Sequence, residues 1–155
     1  EQSQAVQIIR ICRESGPLLV LHPNHDAGRE GIVRAIEAAK ARHVAHLPRA
    51  EFVGLMRRVE VLVGNSSAGL IEVAALGVPA VNLGPRQGGR EMPGNVIDLP
   101  RWTSQSLVRA IADARERGHA QVKHPYGDGR AGARTAELLA TLDFATHGLR
   151  KRNTY

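Results

Sequence analysis

The sequence predicts an α/β fold, a three-layer αβα Rossmann-like domain around a parallel sheet. Short apolar runs alternate along the chain with segments of helical periodicity, which is the pattern of βαβ units. The run at residues 18–21 is apolar throughout, as expected for a strand that is buried on both faces of a parallel sheet. Because aromatic residues make up only 3% of the chain, its core must be built from Ala, Val, Leu and Ile.

The predicted elements follow one another in regular order. Apolar residues at helical spacing predict helices around residues 6–12, 32–36, 52–56, 70–76, 107–114 and 131–142. Short apolar or β-branched runs predict strands at residues 18–21, 44–47, 61–63, 79–83 and 96–97. Asp26 is the expected N-cap of the second helix, and Thr103 or Ser104 is the expected N-cap of the fifth.

Length and composition indicate one compact domain at residues 1–145, followed by a basic tail at residues 146–155. The chain begins with Glu1 rather than Met, so we expect a fragment or a processed form. Cys12 is the only cysteine, which excludes an intrachain disulfide and agrees with a cytoplasmic location. No apolar run approaches the roughly 20 residues of a membrane span. The net charge of +6 favours anionic partners.

Three loops rich in Gly, Asn, Ser, Asp or Arg follow predicted strands, at residues 22–26, 64–69 and 84–90. Since ligands of parallel sheets bind beyond the carboxyl ends of the strands, we expect these loops to meet at one edge. Asn24, in the first loop, is suited to hydrogen-bond a base or a phosphate. His22, His25 and Asp26 are metal-ligand types, but no spaced partner set completes a site, so neither a metal nor a cofactor is expected.

The second loop has the composition of a phosphate site. Ser66 and Ser67 supply hydroxyl groups near a predicted helix start, where backbone N–H groups favour an anion. Glu72 can accept hydrogen bonds from sugar hydroxyls, or it can simply complement the helix dipole. A merely capped turn is the alternative for the whole loop. The Lys of a Walker P-loop is absent, and the glycine spacing differs from the Rossmann fingerprint.

In the third loop, Arg86 and Arg90 lie four residues apart among glycines. Two guanidinium groups at this spacing can bind a diphosphate through bidentate hydrogen bonds. A flexible surface loop is the alternative interpretation. The two loops together therefore predict a pocket for a sugar nucleotide.

Several of these segments carry a family resemblance. HPNHDAG at residues 22–28, HLP at 46–48, GNSSAGLIEV at 64–73 and GVPAVNLGPRQGGRE at 77–91 occur in this order. Together with Asn95 and PYGDG at residues 125–129, they resemble the C-terminal half of UDP-N-acetylglucosamine 2-epimerases. The similarity covers roughly residues 18–142 and is strongest to the hydrolysing type, which feeds the synthesis of sialic acid and related sugars.

The resemblance implies one half of a glycosyltransferase-B-like fold, in which the C-terminal half holds UDP or UDP-GlcNAc. Ser66 and Ser67 match diphosphate-binding positions, and Glu72 matches the position that binds ribose. The remaining matches to nucleotide-binding positions are Asn24, Leu47, Gly69, Arg86 and Arg90. Leu47 would offer its backbone to uracil, and Arg86 and Arg90 would lie near the phosphates.

The family reaction removes the proton at C2 and expels UDP, and in the hydrolysing type water then adds to give free N-acetylmannosamine. Its acid and base carboxylates lie mainly in the N-terminal half, so no catalytic residue is assigned here. The expected partners are the nucleotide sugar, the missing N-terminal domain and, as an option, further copies of the chain; neither a membrane nor nucleic acid is expected. A UDP-sugar-binding domain of a GT-B glycosyltransferase and a polyanion-binding module are the alternatives.

Overall fold

A computed structural model describes residues 2–25 and 27–143. Its strands are short, and every pairing between them is parallel. β1 (Val20–Leu21) pairs with β2 (His43–Val44) in a two-stranded sheet. β3 (Leu62–Gly64), β4 (Ala80–Leu83) and β5 (Val96–Leu99) form a three-stranded sheet in the order β3-β4-β5. Each predicted strand exists, but those at residues 18–21 and 44–47 shrink to two residues.

Six α-helices lie among the described residues. They are α1 (Gln2–Ser15), α2 (Arg29–Ala38), α3 (Arg49–Met56), α4 (Glu72–Ala75), α5 (Ser104–Arg117) and α6 (Ala131–Thr141). Two 3-10 turns, Ser67–Gly69 and Pro85–Gln87, follow β3 and β4. None of the helices described is long and apolar enough to cross a membrane.

Helix starts differ in how they are capped. Thr103 caps α5: its side chain accepts from Ser106 N, while Ser106 Oγ accepts from Thr103 N, which completes a capping box. The prediction of Thr103 as one of two candidates is therefore confirmed. At α2 the N-cap position is held by Gly28, without a side-chain hydrogen bond. Asp26, the predicted cap of that helix, lies outside the described residues.

Alternate residues of the strands face two different helix layers, which is the period of two expected of a β-strand. Val81 and Leu83 pack with α1 and α5, together with Val63 of β3. Ala80 packs on the opposite face, against Met56 of α3 and Val73 of α4. A third cluster joins α1 and α2 to Val20 of β1. The three-layer αβα arrangement is thus confirmed, with helices on both faces of a parallel sheet.

The chain divides into two compact units, residues 1–123 and 124–155. The strands and α1 to α5 belong to the first unit. In the second, Asp128 accepts hydrogen bonds from the backbone of Arg130 (3.0 Å) and from the Arg134 side chain (2.6 Å and 2.9 Å). The Arg134 guanidinium, helped by the Arg130 N–H, holds the pKa of Asp128 below its usual value. The predicted boundary at residue 145 and the basic tail at 146–155 fall outside the described residues.

Candidate functional site

The loops that follow β3 and β4 are neighbours because these two strands pair in parallel. Gly64, the last residue of β3, lies opposite Asn82 of β4. The segment after β3, residues 65–69, is here called the site loop. Ser66 caps its 3-10 turn: the Ser66 hydroxyl accepts from Ala68 N at 3.3 Å, and the Ser66 carbonyl accepts from Gly69 N at 3.1 Å. Asn65 and Ser66 are exposed, and Ser67 is half-buried.

The helix predicted at residues 70–76 is wrong in its extent. The chain instead forms the 3-10 turn and then the four-residue helix α4, which begins at Glu72. In the 3-10 turn, Leu70 N donates to the Ser67 carbonyl three residues earlier, at 3.0 Å. The Gly69 carbonyl accepts a hydrogen bond from the Asn95 side chain at 3.1 Å. A long helix dipole aimed at a phosphate is therefore not part of this site.

The loop after β4 reaches back to the site loop through two side chains. Arg86 Nη1 donates to the carbonyl oxygen of Asn65 at 3.1 Å, and Gln87 Nε2 donates to the same oxygen at 2.7 Å. Arg86 is exposed, whereas Gln87 is 2% exposed. Arg86 therefore lies on the same side of the sheet edge as Ser66 and Ser67, as the sequence predicted for these two loops.

Glu72 has a partner that the sequence did not indicate. Its carboxylate lies 3.6 Å from Arg49 Nη1, and the Glu72 side chain is 27% exposed against 79% for Arg49. Arg49 begins α3, directly after the segment that contains Leu47. The ion pair thus joins the start of α3 to the first turn of α4. Because Arg49 is exposed and the two atoms are 3.6 Å apart, the pair contributes little to stability, and Glu72 can exchange Arg49 for another partner at small cost.

The remaining predicted site residues are more loosely placed. Leu47 is half-buried, and Gly69, the last residue of the site loop, is buried. Asn24 and Arg90 are exposed, and the structure gives neither a side-chain contact with the site loop among the described residues. Arg90 N donates to the Gln87 carbonyl at 3.2 Å, which closes the turn in the third loop. The geometry brings together Ser66, Ser67, Gly69 and Arg86, with Glu72 at their margin.

Of the three metal-ligand types in the first loop, Asp26 lies outside the described residues. His22 lies against His43, with ring centroids 4.9 Å apart, and His43 Nδ1 bonds to the Ala41 carbonyl. Within residues 2–25 and 27–143, no group of three His, Cys, Asp or Glu side chains is arranged to hold a metal ion. A surface cavity of about 470 Å³ lies at the end of α3, beside Arg57 and Arg58. It is away from the carboxyl ends of the strands, where parallel sheets bind ligands.

Two residues outside the predicted set contact the site loop directly. Gln87 donates to the Asn65 carbonyl. Asn95 donates to the Gly69 carbonyl and also to the Val78 carbonyl at 2.8 Å. Both side chains are buried amides. Gln87 lies in the predicted third loop, but the charges of Arg86 and Arg90 favoured those two residues as the ligand contacts. Nothing in the local sequence around Asn95 indicates that it reaches a loop 26 residues earlier in the chain.

The arrangement presents hydroxyl, backbone and guanidinium donors on one small surface. A guanidinium has five N–H donors, so Arg86 can hold a carbonyl oxygen and a phosphate oxygen together. A hydroxyl donor beside it suits a second phosphate oxygen. Glu72 adds an acceptor for hydroxyl groups. Such a surface has the chemistry to bind a phosphorylated and hydroxylated ligand, and donors of this kind can stabilise negative charge on a departing phosphate.

Comparison with known proteins agrees with this chemistry. The sequence profile of a family described as UDP-N-acetylglucosamine 2-epimerase matches residues 1–140. The chain is 34% identical over 142 residues to the UDP-N,N'-diacetylbacillosamine 2-epimerase (hydrolyzing) of Legionella pneumophila. It is 27% identical over 143 residues to a UDP-N-acetylglucosamine 2-epimerase of Neisseria meningitidis.

The alignments cover most of this chain but a minor part of each relative. They span 89% and 90% of the chain, and only 37% and 38% of the two relatives. A polysialic acid biosynthesis protein, P7, from Escherichia coli is 30% identical over 112 residues, which is 28% of its length. Since the family profile covers nearly the whole chain, the chain belongs to the UDP-N-acetylglucosamine 2-epimerase family.

Proposed function

We propose that this chain is the UDP-binding domain of a UDP-N-acetylglucosamine 2-epimerase. In this proposal, Ser66, Ser67 and Arg86 bind the diphosphate. The observation that carries it is the meeting of Arg86 with the site loop, at 3.1 Å from the Asn65 carbonyl. Two loops that are separate in sequence thereby offer donors of different kinds at one sheet edge, where parallel α/β domains bind nucleotides.

The other contacts of the nucleotide follow from the same placement. Glu72 accepts hydrogen bonds from the ribose hydroxyls, and the arriving ribose replaces Arg49, its present partner at 3.6 Å. Leu47 offers its backbone to the uracil, Asn24 hydrogen-bonds the base or a phosphate, and Arg90 adds charge near the diphosphate. Gly69 keeps the backbone of the site loop close to β4, with its carbonyl held by Asn95.

The proposed reaction converts UDP-GlcNAc to N-acetylmannosamine plus UDP, or to UDP-ManNAc. The name of the Legionella relative includes the word hydrolyzing, which supports release of free UDP. The name of the meningococcal relative gives UDP-N-acetylglucosamine as the sugar nucleotide and supports that substrate. Loss of the C2 proton and of UDP leaves negative charge on the departing diphosphate. Arg86 and the hydroxyls of the site loop would stabilise that charge. The family finding favours this function over the GT-B glycosyltransferase alternative.

The role of the chain is confined to holding the nucleotide. In this proposal Glu72, the carboxylate of the site, binds the ribose, and the chain spans less than two fifths of the relatives' lengths. We therefore propose that a further domain supplies the acid and base groups and that the 155-residue chain alone binds without turnover.

Titration calorimetry with UDP tests the proposed function. The 155-residue chain should give saturable heat with UDP, and an assay of UDP released from UDP-GlcNAc should stay at background. Ser67→Ala should weaken binding by about threefold to tenfold, since a lost neutral hydrogen bond costs roughly 0.5–1.5 kcal/mol. Ser3→Ala, at an exposed position of α1, is the matched control. A correctly folded chain that gives no heat at millimolar UDP contradicts the proposal.

A further inference from the structure

Two buried amide side chains donate hydrogen bonds to backbone carbonyls at opposite ends of the site loop. Gln87 Nε2 donates to the Asn65 carbonyl at 2.7 Å, at the start of the loop. Asn95 Nδ2 donates to the Gly69 carbonyl at 3.1 Å, at its end, and also to the Val78 carbonyl at 2.8 Å. Gln87 and Asn95 are 2% and 5% exposed. The bond from Asn95 to Gly69 is buried, and the bond from Gln87 to the exposed Asn65 is partly buried.

These two amides are costly as core residues. Gln87 Oε1 and Asn95 Oδ1 are buried and accept no hydrogen bond from the described residues. A buried polar atom without a partner is destabilising, and an apolar side chain of similar volume avoids that cost. Their contribution to packing therefore does not explain why amides occupy these positions. What an apolar side chain cannot supply is a donor to the Asn65 and Gly69 carbonyls.

Arg86 shares one of these acceptors, which separates its role from that of Gln87. Both side chains donate to the Asn65 carbonyl, and a carbonyl oxygen accepts two hydrogen bonds. Arg86 is exposed and can turn toward an arriving phosphate. Gln87 is buried in the same turn and keeps its bond to Asn65 when Arg86 leaves. The shape of the loop is thus independent of where Arg86 points.

We propose that Gln87 and Asn95 are positioning residues that fix the site loop in its binding shape before the diphosphate arrives. This inference rests on the proposed function. Neither side chain touches the ligand; each acts through a backbone carbonyl of the loop. A loop that is already ordered loses less conformational entropy on binding, so its affinity for the diphosphate is higher.

The test combines UDP calorimetry with amide hydrogen exchange in the 155-residue chain. Gln87→Met keeps the length of the side chain and removes the donor, and Gln87→Leu removes it with another apolar side chain if the first variant fails to fold. Asn95→Leu is the equivalent change at the other end. Gln105→Met, at an exposed position of α5, is the control. We expect about tenfold weaker UDP binding and about tenfold faster exchange at residues 65–69 in the ligand-free chain, with β4 amides unchanged.

Each contrary outcome has a distinct meaning. Wild-type protein that does not bind UDP overturns the proposed function and this inference with it. Wild-type binding together with variants whose affinity stays within about twofold overturns the inference alone. Exchange that rises equally at residues 65–69 and in Ala80–Leu83 shows a general loss of stability, which also overturns the positioning role.

Discussion

Arg86 is the side chain that links the third loop to the site loop from the solvent side, through the Asn65 carbonyl. We expect Arg86→Ala to weaken UDP binding by about tenfold or more, because a charge-assisted hydrogen bond contributes roughly 1.5–3 kcal/mol. Titration calorimetry measures the change. Arg109→Ala removes an exposed arginine of α5 and should leave the affinity unaltered. Equal affinities for the Arg86 and Arg109 variants would remove Arg86 from the site.

Cys12 illustrates a residue whose chemistry is suppressed by its surroundings. It packs in the cluster between α1, α5 and the sheet, and burial raises the pKa of its thiol to about 11. The folded pKa lies above the unfolded value, so this thiol supports folding below pH 9.0 and loses that effect as the pH rises toward about 11. A thiol that stays protonated is a poor nucleophile at neutral pH.

The expected result is a steeper loss of stability in the wild type than in Cys12→Ala between pH 9.0 and about 11. Urea unfolding at a series of pH values gives the free energy of unfolding for both proteins. Alkylation of the native thiol at neutral pH should also be slow, and fast in urea. Parallel pH profiles for the two proteins would contradict the burial effect.

At the scale of single elements, the start of α5 depends on its capping box. Thr103→Ala removes the acceptor for Ser106 N (3.2 Å) and should destabilise the chain by about 1 kcal/mol. Ser106→Ala is the informative comparison. It leaves that bond intact but removes the bond that the Ser106 hydroxyl accepts from Thr103 N (2.9 Å) and the one that it donates to the Thr103 carbonyl (3.1 Å). It should still cost less, because Ala has a higher helix propensity than Ser. Urea denaturation of both variants decides the order. A larger loss of stability for Ser106→Ala than for Thr103→Ala would contradict the main role assigned to the Thr103 side chain.

The end of α4 makes a second prediction about an element. Gly77 has φ of 69°, and a Cβ added there would lie 2.4 Å from the carbonyl oxygen of Ala120. Gly77→Ala should therefore destabilise the protein by more than about 2 kcal/mol, through backbone strain and this clash. Gly54→Ala, in α3, meets no atom within 4 Å and should stabilise it by about 0.5–1 kcal/mol. Thermal unfolding of both variants tests the contrast.

Local patterns predicted most elements because the interactions that form them are local. The N-cap of α5, Thr103, lies directly before the apolar residues that mark the helix, so a local pattern predicts both. The helix predicted at residues 70–76 is cut to α4 because the 3-10 turn capped by Ser66 takes up the chain before it, with Leu70 N bonded to the Ser67 carbonyl at 3.0 Å. The extents of β1 and β2 were overestimated, since strand length depends on the partner strand and not on the run of apolar residues alone.

The candidate site likewise has features that the sequence predicted and features that depend on contacts between residues far apart in the chain. The meeting of the second and third loops was predictable because the loops of neighbouring parallel strands meet at one edge of the sheet. The first loop follows β1, which pairs with β2 in a separate two-stranded sheet. The Arg49–Glu72 ion pair and the bonds of the two buried amides were not predicted, because they join residues that are 17 to 26 apart in sequence. The UDP contacts of Asn24, Leu47 and Arg90 stay predictions.

For the whole molecule, the central claim is that the loops following β3 and β4 hold a diphosphate together. Mapping of backbone amide chemical shifts during a UDP titration of the 155-residue chain tests it most directly. We predict that the largest changes fall on residues 65–69 and 84–88 and on Glu72, with saturation at one nucleotide per chain. Changes confined to another surface, such as the cavity beside Arg57 and Arg58, with those loops unaffected, would contradict the claim.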